Sequence, residues 1–599
     1  MRRHAFPVTL IAVIAATLFV PAILHHEVFT FRDHTDYFQP LRFYTALHLR
    51  AGRLPLWNPY NASGEAWLAN PQTGVFYPPT WLFIAMPFAA AYMSYVMLHV
   101  VLLGVNAYTL LVRSATRRAA ALGATALMLC GPTVSLWDVN NNLATLAWVP
   151  LAIWCGLERR PRLGGAVLAL AFLGGEPFFA AIAAFLFAIA YFRNAPRSGG
   201  MKQLLQAALI AIGLSAIQLF PFLELLHESD RRAGFEREVI FRHSMKISDW
   251  VRLAIPPHGF DPSMSQQFIP VVYVGIATVL LAVIGLTALR KAWPWLLLLC
   301  ASIIVAAGND LPTGEWIARA PLTIFRYPAR LIPFGAFAVI CLMVIGLDRL
   351  PKRRVWVDAA VLLLLLADLV PRTVPLRLVE PLDLQRVPFP PFVGRDAKVV
   401  RLGVPTADRA AWMGGYLNLY SHRFDAATPA PVAPYGYSMT LRNDVRTPDI
   451  GHLDSTGVGW VLTDRGLPLD YYRLDARARG VYAWHSLHVQ PMARVIEPDG
   501  RVVPAQALSL DSAHARVSAD TPQGGLLVLM QRDAPGWRVF VDEREARSEI
   551  FDRYFRAVRV SPGKHEILWT FRPFSLLAGA CVTLMTLLAV ALRPSSVKR

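Results

Sequence analysis

Long apolar runs recur through this chain and constrain its fold more than any other feature. Each run can cross, or nearly cross, a hydrocarbon layer of about 30 Å as a helix. Composition agrees, because 55% of the 599 residues are hydrophobic and 17% are charged. The sequence therefore predicts a polytopic α-helical membrane protein with about twelve transmembrane helices. The runs, of which the pair at 163–193 is the weakest, are 8–24, 92–112, 119–136, 143–157, 163–175, 178–193, 203–223, 271–289, 293–307, 331–348, 354–370 and 574–592.

Basic clusters between these runs predict the orientation, because Lys and Arg concentrate in cytoplasmic connections. The clusters occupy alternate connections, which is the pattern of a twelve-span chain with both termini in the cytoplasm. They are Arg2 and Arg3; Arg113, Arg117 and Arg118; Arg159, Arg160 and Arg162; Arg193, Arg197 and Lys202; Arg290 and Lys291; Arg349, Lys352, Arg353 and Arg354; and Arg593, Lys598 and Arg599.

The net charge of +18 is mostly explained by this cytoplasmic anchoring. No nucleic-acid-binding motif accompanies the charge, so we expect no nucleic-acid partner. All five cysteines fall inside apolar runs, where small membrane-core residues are ordinary, and they suggest neither a disulfide framework nor a metal cluster.

The topology divides the chain into three parts. Residues 1–370 form a transmembrane domain whose first extracytoplasmic loop is 25–91, and residues 574–599 form the final helix and a cytoplasmic tail. The first loop should contain an amphipathic helix at the membrane surface, in which Arg42, His48 and Arg50 meet lipid headgroups.

Residues 371–573 are numerous enough for an extracytoplasmic domain of their own. The end of this segment alternates like antiparallel strands in GGLLVLMQ, GWRVFVDE, YFRAVRVS and HEILWTF, with PGK as the last turn, and predicts a β-sandwich. Ahead of the sandwich, an α/β region is expected, with strands at GVGWVLTD and VYAWHSLHV whose order the sequence leaves open.

Several motifs resemble the YfhO-like bacterial membrane proteins, a family of the GT-C superfamily of polytopic glycosyltransferases. They are DHTDYFQPLRFY, RLPLWNPY, ANPQTGVFYPP, LSAIQLFPFLELL, GNDLP, FRYPAR, APGWRVFVDE and FRAVRVSPGKHEILWTFRP. The resemblance covers nearly the whole chain and implies transfer of a sugar from a polyprenyl-phosphate carrier at the outer face of the bacterial inner membrane. Two positions depart from the family pattern: Glu65-Ala66 replaces a glycine of its GGxP motif, and Glu176 stands where relatives often have histidine.

Inverting sugar transfer needs a carboxylate that accepts the proton of the acceptor hydroxyl. Asp33 and Asp36 follow the first apolar run and are the candidate catalytic bases. Asp33 is favoured because the GT-C resemblance implies an acid early in this loop. The structural alternative is that either residue caps the following helix.

The leaving phosphate of such a donor needs a nearby cation. FRYPAR supplies Arg326 and Arg330, whose planar guanidinium groups suit phosphate. Interfacial snorkelling is the alternative role for both. A divalent metal could also neutralise the phosphate, and the sequence does not decide whether one is needed.

The remaining candidates are polar or aromatic residues that could contact a sugar or an acceptor. Trp57 could stack on a sugar, although aromatic residues are also common at membrane interfaces. Asp138 in WDVNNN is interpreted as a helix-end residue, and Asn140 to Asn142 as a polar turn. The sugar- or acceptor-binding candidates are Trp57, Asn58, Glu65, Asn70, Gln72, Glu176 and Glu224.

These features together predict a membrane glycosyltransferase that uses a polyprenyl-phosphate sugar donor, a cell-envelope glycan or lipid acceptor and the surrounding lipids. A transporter or flippase of lipid-linked saccharides is one alternative, but it should show ionisable groups at the bilayer midplane and related halves, and neither is clear. A non-catalytic glycan-binding or assembly protein is the other.

Overall fold

A computed structural model gives the fold for most of the chain. It describes residues 2–29, 34–59, 63–193, 200–229, 232, 234–257, 267–350, 354–373, 379–381, 398–402, 411–412, 458–463, 469–478 and 481–592.

Helices dominate the described residues up to position 373 and return at the C-terminal end. They are α1 (Arg2–Leu24), α2 (Gln39–Arg50), α3 (Leu82–Ala85), α4 (Phe88–Leu111), α5 (Arg117–Leu129), α6 (Gly131–Val134), α7 (Asn140–Leu146), α8 (Val149–Leu157), α9 (Pro161–Leu173), α10 (Pro177–Arg193), α11 (Gly200–His227), α12 (Arg237–Phe241), α13 (Ile276–Leu286), α14 (Leu289–Ala307), α15 (Gly314–Ile317), α16 (Ile332–Leu347), α17 (Val355–Thr373) and α18 (Phe574–Leu592).

Helical segments long and apolar enough to span a membrane number six among the described residues: His4–Leu24, Phe88–Leu111, Gly200–His227, Leu289–Asp310, Pro328–Leu347 and Phe574–Leu592. Each of the twelve predicted runs overlaps a helix, but the count of about twelve transmembrane helices is not confirmed. Prolines account for part of the difference. The run 119–136 divides into α5 and α6 at Pro132, and the run 143–157 divides into α7 and α8 just before Pro150.

Close helix contacts depend on small residues, as is usual where lipid provides no hydrophobic drive between helices. Thr583 of α18 donates a hydrogen bond to the carbonyl of Gly213 in α11 and accepts one from the backbone N–H of Ile217, both at 3.0 Å. A Cβ on Gly346 of α16 would lie 1.9 Å from the carbonyl oxygen of Leu281 in α13. Larger residues at these glycines would separate the helices.

Strands fill most of the described residues between 379 and 571, and β1 precedes them in the first loop. They are β1 (Glu27–Phe29), β2 (Val379–Pro381), β3 (Lys398–Leu402), β4 (Ala411–Trp412), β5 (Val458–Thr463), β6 (Tyr472–Ala478), β7 (Val481–Ser486), β8 (Ala493–Ile496), β9 (Val502–Pro504), β10 (Gln506–Leu510), β11 (His514–Thr521), β12 (Gly525–Arg532), β13 (Trp537–Val541), β14 (Arg544–Ala546), β15 (Ser548–Phe551), β16 (Phe555–Val560) and β17 (Gly563–Phe571).

A β-sandwich is built from two antiparallel five-stranded sheets, in the orders β10-β11-β17-β13-β14 and β15-β16-β12-β8-β9. The sheets pack face to face, because Val517 and Trp569 of one share a buried apolar core with Leu527 and Val558 of the other. The four strands expected here are present as β12, β13, β16 and β17, and the C-terminal β-rich region is confirmed. The domain boundaries themselves stay a prediction.

A third, mixed sheet has the order β4-β3-β5-β7-β6 and includes the strands expected at GVGWVLTD and VYAWHSLHV, as β5 and β7. A separate two-stranded sheet pairs β1 of the first loop with β2. Because β1 and β2 are hydrogen-bonded neighbours, the first loop and the segment after α17 lie next to each other. The side of the membrane that they face stays a prediction.

Candidate functional site

A buried ion pair lies at the centre of the candidate site. Glu176 directly precedes α10, and its Oε1 accepts a hydrogen bond from Nη1 of Arg330 at 2.8 Å. Their side chains are 5% and 12% exposed. Nδ2 of Asn141 donates to Oε2 of Glu176 and to the carbonyl of Gly175, both at 3.2 Å, and the backbone N–H of Glu176 donates to Thr145 at 3.2 Å. These hydrogen bonds satisfy the carboxylate of Glu176, which offsets part of the cost of burying it.

The first loop reaches this pair through Gly175. This glycine has φ +101°, and a Cβ on it would lie 3.0 Å from the carbonyl oxygen of Pro71 and 3.1 Å from Cα of Gln72. Glycine adopts this conformation far more easily than other residues, and a Cβ here would press against the loop. Gln72 accepts a hydrogen bond from Tyr37, and its own backbone N–H donates to Oδ1 of Asn70 at 3.1 Å.

The loop candidates Asn58, Glu65, Asn70 and Gln72 are brought together. Asn58 and Glu65 form an antiparallel bridge with backbone hydrogen bonds of 2.8 and 2.9 Å. Nδ2 of Asn70 lies 3.4 Å from both Oε1 of Glu65 and the hydroxyl of Tyr37. Polar groups of the first loop therefore form one connected set that ends at Gly175.

Both candidate phosphate-binding arginines contact the ring of Tyr327. Cζ of Arg326 lies 4.8 Å and Cζ of Arg330 lies 5.6 Å from its centroid. Arg326 also lies 5.3 Å from the ring of Phe235, and Arg330 lies 5.2 Å from that of Phe268. Tyr327 is held in the left-handed region at φ 64°, which costs a non-glycine residue free energy and is common at functional sites. The FRYPAR motif thus places two cations against one tyrosine ring, and one of them, Arg330, is paired with Glu176.

Trp57 occupies a different place from the sugar platform that its sequence context suggested. It is fully buried in the core of the β-sandwich, with ring centroids 5.2 Å from Trp537 and 5.0 Å from Phe571. Its backbone N–H donates to the carbonyl of Ser512 at 2.9 Å. In this structure the ring has no free face for a sugar, and it joins the first loop to the sandwich.

Further contacts strengthen this junction. Gln531 donates to the carbonyl of Pro59 at 3.2 Å, and the hydroxyl of Tyr44 in α2 donates to the carbonyl of Trp57 at 2.6 Å. Cζ of Arg556 lies 3.7 Å from the ring centroid of Trp537 and 5.8 Å from that of Trp57. Burial lowers the pKa of Arg556 to about 9, although Asp533 opposes the shift. The sandwich and the first loop share one core.

Three predicted site residues remain: Asp33, Asp36 and Glu224. Asp33 lies outside the described residues, and for Asp36 only the backbone is described, within the helical turn His34–Phe38. Glu224 is half-buried near the end of α11, where its electrostatic neighbours are Ser575 and Glu228, and the contacts described for Glu176 do not include it. The catalytic roles of Asp33 and Asp36 stay predictions.

Some residues near the site were not chosen from the sequence. Asn141 looked like part of a polar turn, yet it contacts Glu176 directly. Arg42, expected at lipid headgroups, is buried and donates to the carbonyl of Thr73 at 2.6 Å. His34 is buried with Nδ1 2.7 Å from the hydroxyl of Tyr92. The available signal was position alone, since Asn141 lies between two apolar runs and His34 and Arg42 lie in the first loop.

The described part of the chain contains no group of three or more His, Cys, Asp or Glu residues that could hold a metal ion. Because neither Asp33 nor the side chain of Asp36 is within that part, the need for a divalent metal stays as open as the sequence left it.

Comparison with known proteins adds to this geometry. No protein-family model and no curated protein match the chain. The chain is similar to the cryo-EM structure of arabinofuranosyltransferase AftD from Mycobacteria, with a TM-score of 0.50 and 10% identity over 95% of its length. A structure of a mutant AftD gives a TM-score of 0.48 and 11% identity, and covers 96% of this chain and 60% of that one.

This chain spans 57% of the length of the first AftD chain. At such low identity the similarity establishes the fold alone, and the YfhO-like family is not confirmed. The chain therefore shares the fold of that AftD structure, with apolar helices followed by a C-terminal β-rich region.

Proposed function

We propose that this protein is an inverting glycosyltransferase. It takes a sugar from a polyprenyl-phosphate donor and transfers it to a cell-envelope glycan or lipid at the outer face of the bacterial inner membrane. The proposal depends mainly on the Glu176–Arg330 pair, which gathers the first loop, the turn before α10 and the FRYPAR segment around buried charges.

The arginines support a phosphate ligand. Nη1 of Arg330 donates a hydrogen bond to Glu176, but Nε of Arg330 is buried and has no hydrogen-bond partner among the described residues. A buried N–H left unpaired costs about 1–3 kcal/mol. A phosphate oxygen would remove that cost, and Arg326 beside the same tyrosine ring would add a second positive charge.

In the proposed reaction an acceptor hydroxyl attacks the anomeric carbon as the bond from that carbon to the phosphate oxygen breaks. Asp33 takes the hydroxyl proton, with Asp36 as the other candidate, and Arg326 and Arg330 stabilise the charge that develops on the leaving polyprenyl phosphate. Inversion follows from a single displacement. The β-sandwich, joined to the first loop through Trp57, would bind the acceptor.

A cell-based experiment tests this proposal. Envelope glycans and polyprenyl-phosphate sugars are measured by mass spectrometry in a deletion strain complemented with wild type, Asp33→Asn or Asp36→Asn at equal abundance. Asp552→Asn, in an exposed turn of the sandwich, is the matched control. We expect the Asp33 variant to lose one glycan substituent and to accumulate the matching lipid-linked sugar.

Other outcomes decide between the candidates. Loss in the Asp36 variant alone would make Asp36 the base. Unchanged glycans in both variants would contradict the transferase chemistry and favour the glycan-binding alternative.

A further inference from the structure

Three successive asparagines begin α7 at a depth where polar side chains are normally paired. Asn140, Asn141 and Asn142 are at most 1% exposed. Oδ1 of Asn140, Oδ1 of Asn141 and Nδ2 of Asn142 have no hydrogen-bond partner among the described residues. We propose that these three carboxamides bind the sugar of the donor, an inference that depends on the function proposed above.

The hydrogen bonds of Asn140 and Asn141 fix which atom of each carboxamide is left for a ligand. Nδ2 of Asn141 donates to a carboxylate oxygen of Glu176 and to the carbonyl of Gly175, so Oδ1 is the atom of this carboxamide that is left for a ligand. Nδ2 of Asn140 donates to the carbonyl of Trp137 at 2.9 Å, which likewise leaves the oxygen. Two acceptors and the Nδ2 donor of Asn142 therefore await partners.

Sugar hydroxyls match this set, because each hydroxyl donates one hydrogen bond and accepts others. Leaving buried polar atoms without partners costs free energy, and natural proteins do so rarely. Asn106, another buried asparagine, shows the structural alternative, since its Nδ2 donates to the carbonyl of Ala147 at 2.8 Å.

The asparagines also lie beside the groups expected to hold the rest of the donor. Asn141 contacts Glu176, and Glu176 is paired with Arg330. Only Glu176 therefore separates the Asn141 carboxamide from the arginine proposed to bind phosphate. Asn140 is a hydrogen-bonding neighbour of the Tyr92 hydroxyl, which contacts His34, the residue after Asp33. A sugar held here would lie close to the arginine proposed to bind the donor phosphate.

Purified protein in detergent is titrated with undecaprenyl phosphate and with undecaprenyl phosphate carrying glucose, N-acetylglucosamine or arabinofuranose. Asn140→Leu and Asn142→Leu are compared with Asn106→Leu. We expect one sugar lipid to bind wild type at least about tenfold more tightly than undecaprenyl phosphate, as one or two hydrogen bonds to a ligand would give. The Asn140 and Asn142 variants should lose that preference and still bind undecaprenyl phosphate.

Stability separates this role from a structural one. Asn142→Leu should melt at or above the wild-type temperature, because it removes an unpaired buried donor. Asn140→Leu and Asn106→Leu each lose a hydrogen bond to a backbone carbonyl and should melt lower, but only Asn106→Leu should keep the sugar preference. If a leucine variant does not fold, the alanine variant of the same residue replaces it.

The remaining outcomes overturn the inference. A sugar preference that persists in both variants means that the asparagines hold only water, and the proposed function stands. Equal binding of all four lipids by wild type excludes a sugar site here. Binding of none of them contradicts the proposed function as well.

Discussion

Nη1 of Arg330 lies 2.8 Å from Oε1 of Glu176, although the two residues are 154 positions apart in the chain. The pair ties the turn before α10 to the FRYPAR segment, and both side chains are largely buried. A buried charge that loses its partner is far more costly than an exposed one. The pair therefore offers a direct way to separate stability from activity.

Replacing Glu176 with glutamine should destabilise the protein strongly. Arg330 would remain buried without its carboxylate, at a cost of about 3–5 kcal/mol. Thermal melting in detergent measures the effect. Glu158→Gln is the control, because Glu158 pairs with Arg113 at 2.5 Å with both side chains more than one-third exposed, and it should cost about 0–1 kcal/mol.

Adding Arg330→Met to Glu176→Gln should recover part of the lost stability, since no unpaired charge then remains, but it should not restore sugar transfer. Equal melting of the Glu176 and Glu158 variants would show that the pair is not buried as described. Restored transfer in the double variant would exclude Arg330 as a phosphate ligand.

Gly175→Ala should disturb the contact between the first loop and the Glu176 turn. The substitution combines a backbone at φ +101° with a Cβ 3.0 Å from the carbonyl oxygen of Pro71. We expect a loss of about 1–3 kcal/mol and a large fall in transfer. Gly52→Ala is the control, because Gly52 has φ +67° but nothing within 4 Å of its Cβ. Similar losses at the two positions would mean that backbone strain, and not crowding of the loop, sets the effect.

Trp57→Ala should cost about 3–5 kcal/mol, because it opens a cavity in the sandwich core that the first loop fills. The variant should also be cut faster by protease in both the first loop and the sandwich, since the two share this core. Trp57→Phe should behave more mildly, and Trp81→Ala, at a ring that is 51% exposed, serves as the control. A Trp57→Ala protein with wild-type melting and proteolysis would disprove the junction.

Acid should weaken the wild-type protein partly through His48 of α2. Burial lowers the pKa of His48 below its ordinary 6.5; the Tyr44 carbonyl raises it, Arg53 lowers it and Asp511 raises it. As the pH falls below 6.5, His48 binds a proton in the unfolded chain before it does so in the folded chain. The contribution of neutral, buried His48 to the free energy of unfolding is therefore present above that pH and is lost below it.

His48→Gln should therefore reduce the drop in melting temperature between pH 7.5 and pH 5.5. Melting curves at the two values for both proteins make the comparison. An identical drop in the variant would show that other groups cause the acid sensitivity.

Local pattern predicted local structure well. The apolar run at 203–223 lies within α11, and the alternation in HEILWTF lies within β17. Both elements depend on spacing along the chain, which a sequence displays directly. The length of individual spans was predicted less well, because Pro132 and Pro150 divide runs that hydropathy joins.

Contacts between distant segments could not be predicted in the same way. Arg330 was predicted as a phosphate ligand from the chemistry of its side chain, but the neighbouring sequence does not identify Glu176 as its ion-pair partner. Trp57 looks the same in sequence whether it stacks on a sugar or fills the core of a domain whose strands begin more than 400 residues later. Asn141 was interpreted as a turn residue because the sequence does not show whether an asparagine is exposed or is buried with incomplete hydrogen bonding.

Transfer by the purified protein tests the central proposal most directly. Lipids extracted from the deletion strain, which should contain the accumulated donor, are incubated with envelope glycan acceptor and either wild-type or Asp33→Asn protein, and products are followed by mass spectrometry. The account predicts that wild type consumes one polyprenyl-phosphate sugar, releases an equal amount of polyprenyl phosphate and glycosylates the acceptor with inversion, while the variant does not. Binding of glycan without consumption of any lipid-linked sugar would contradict it.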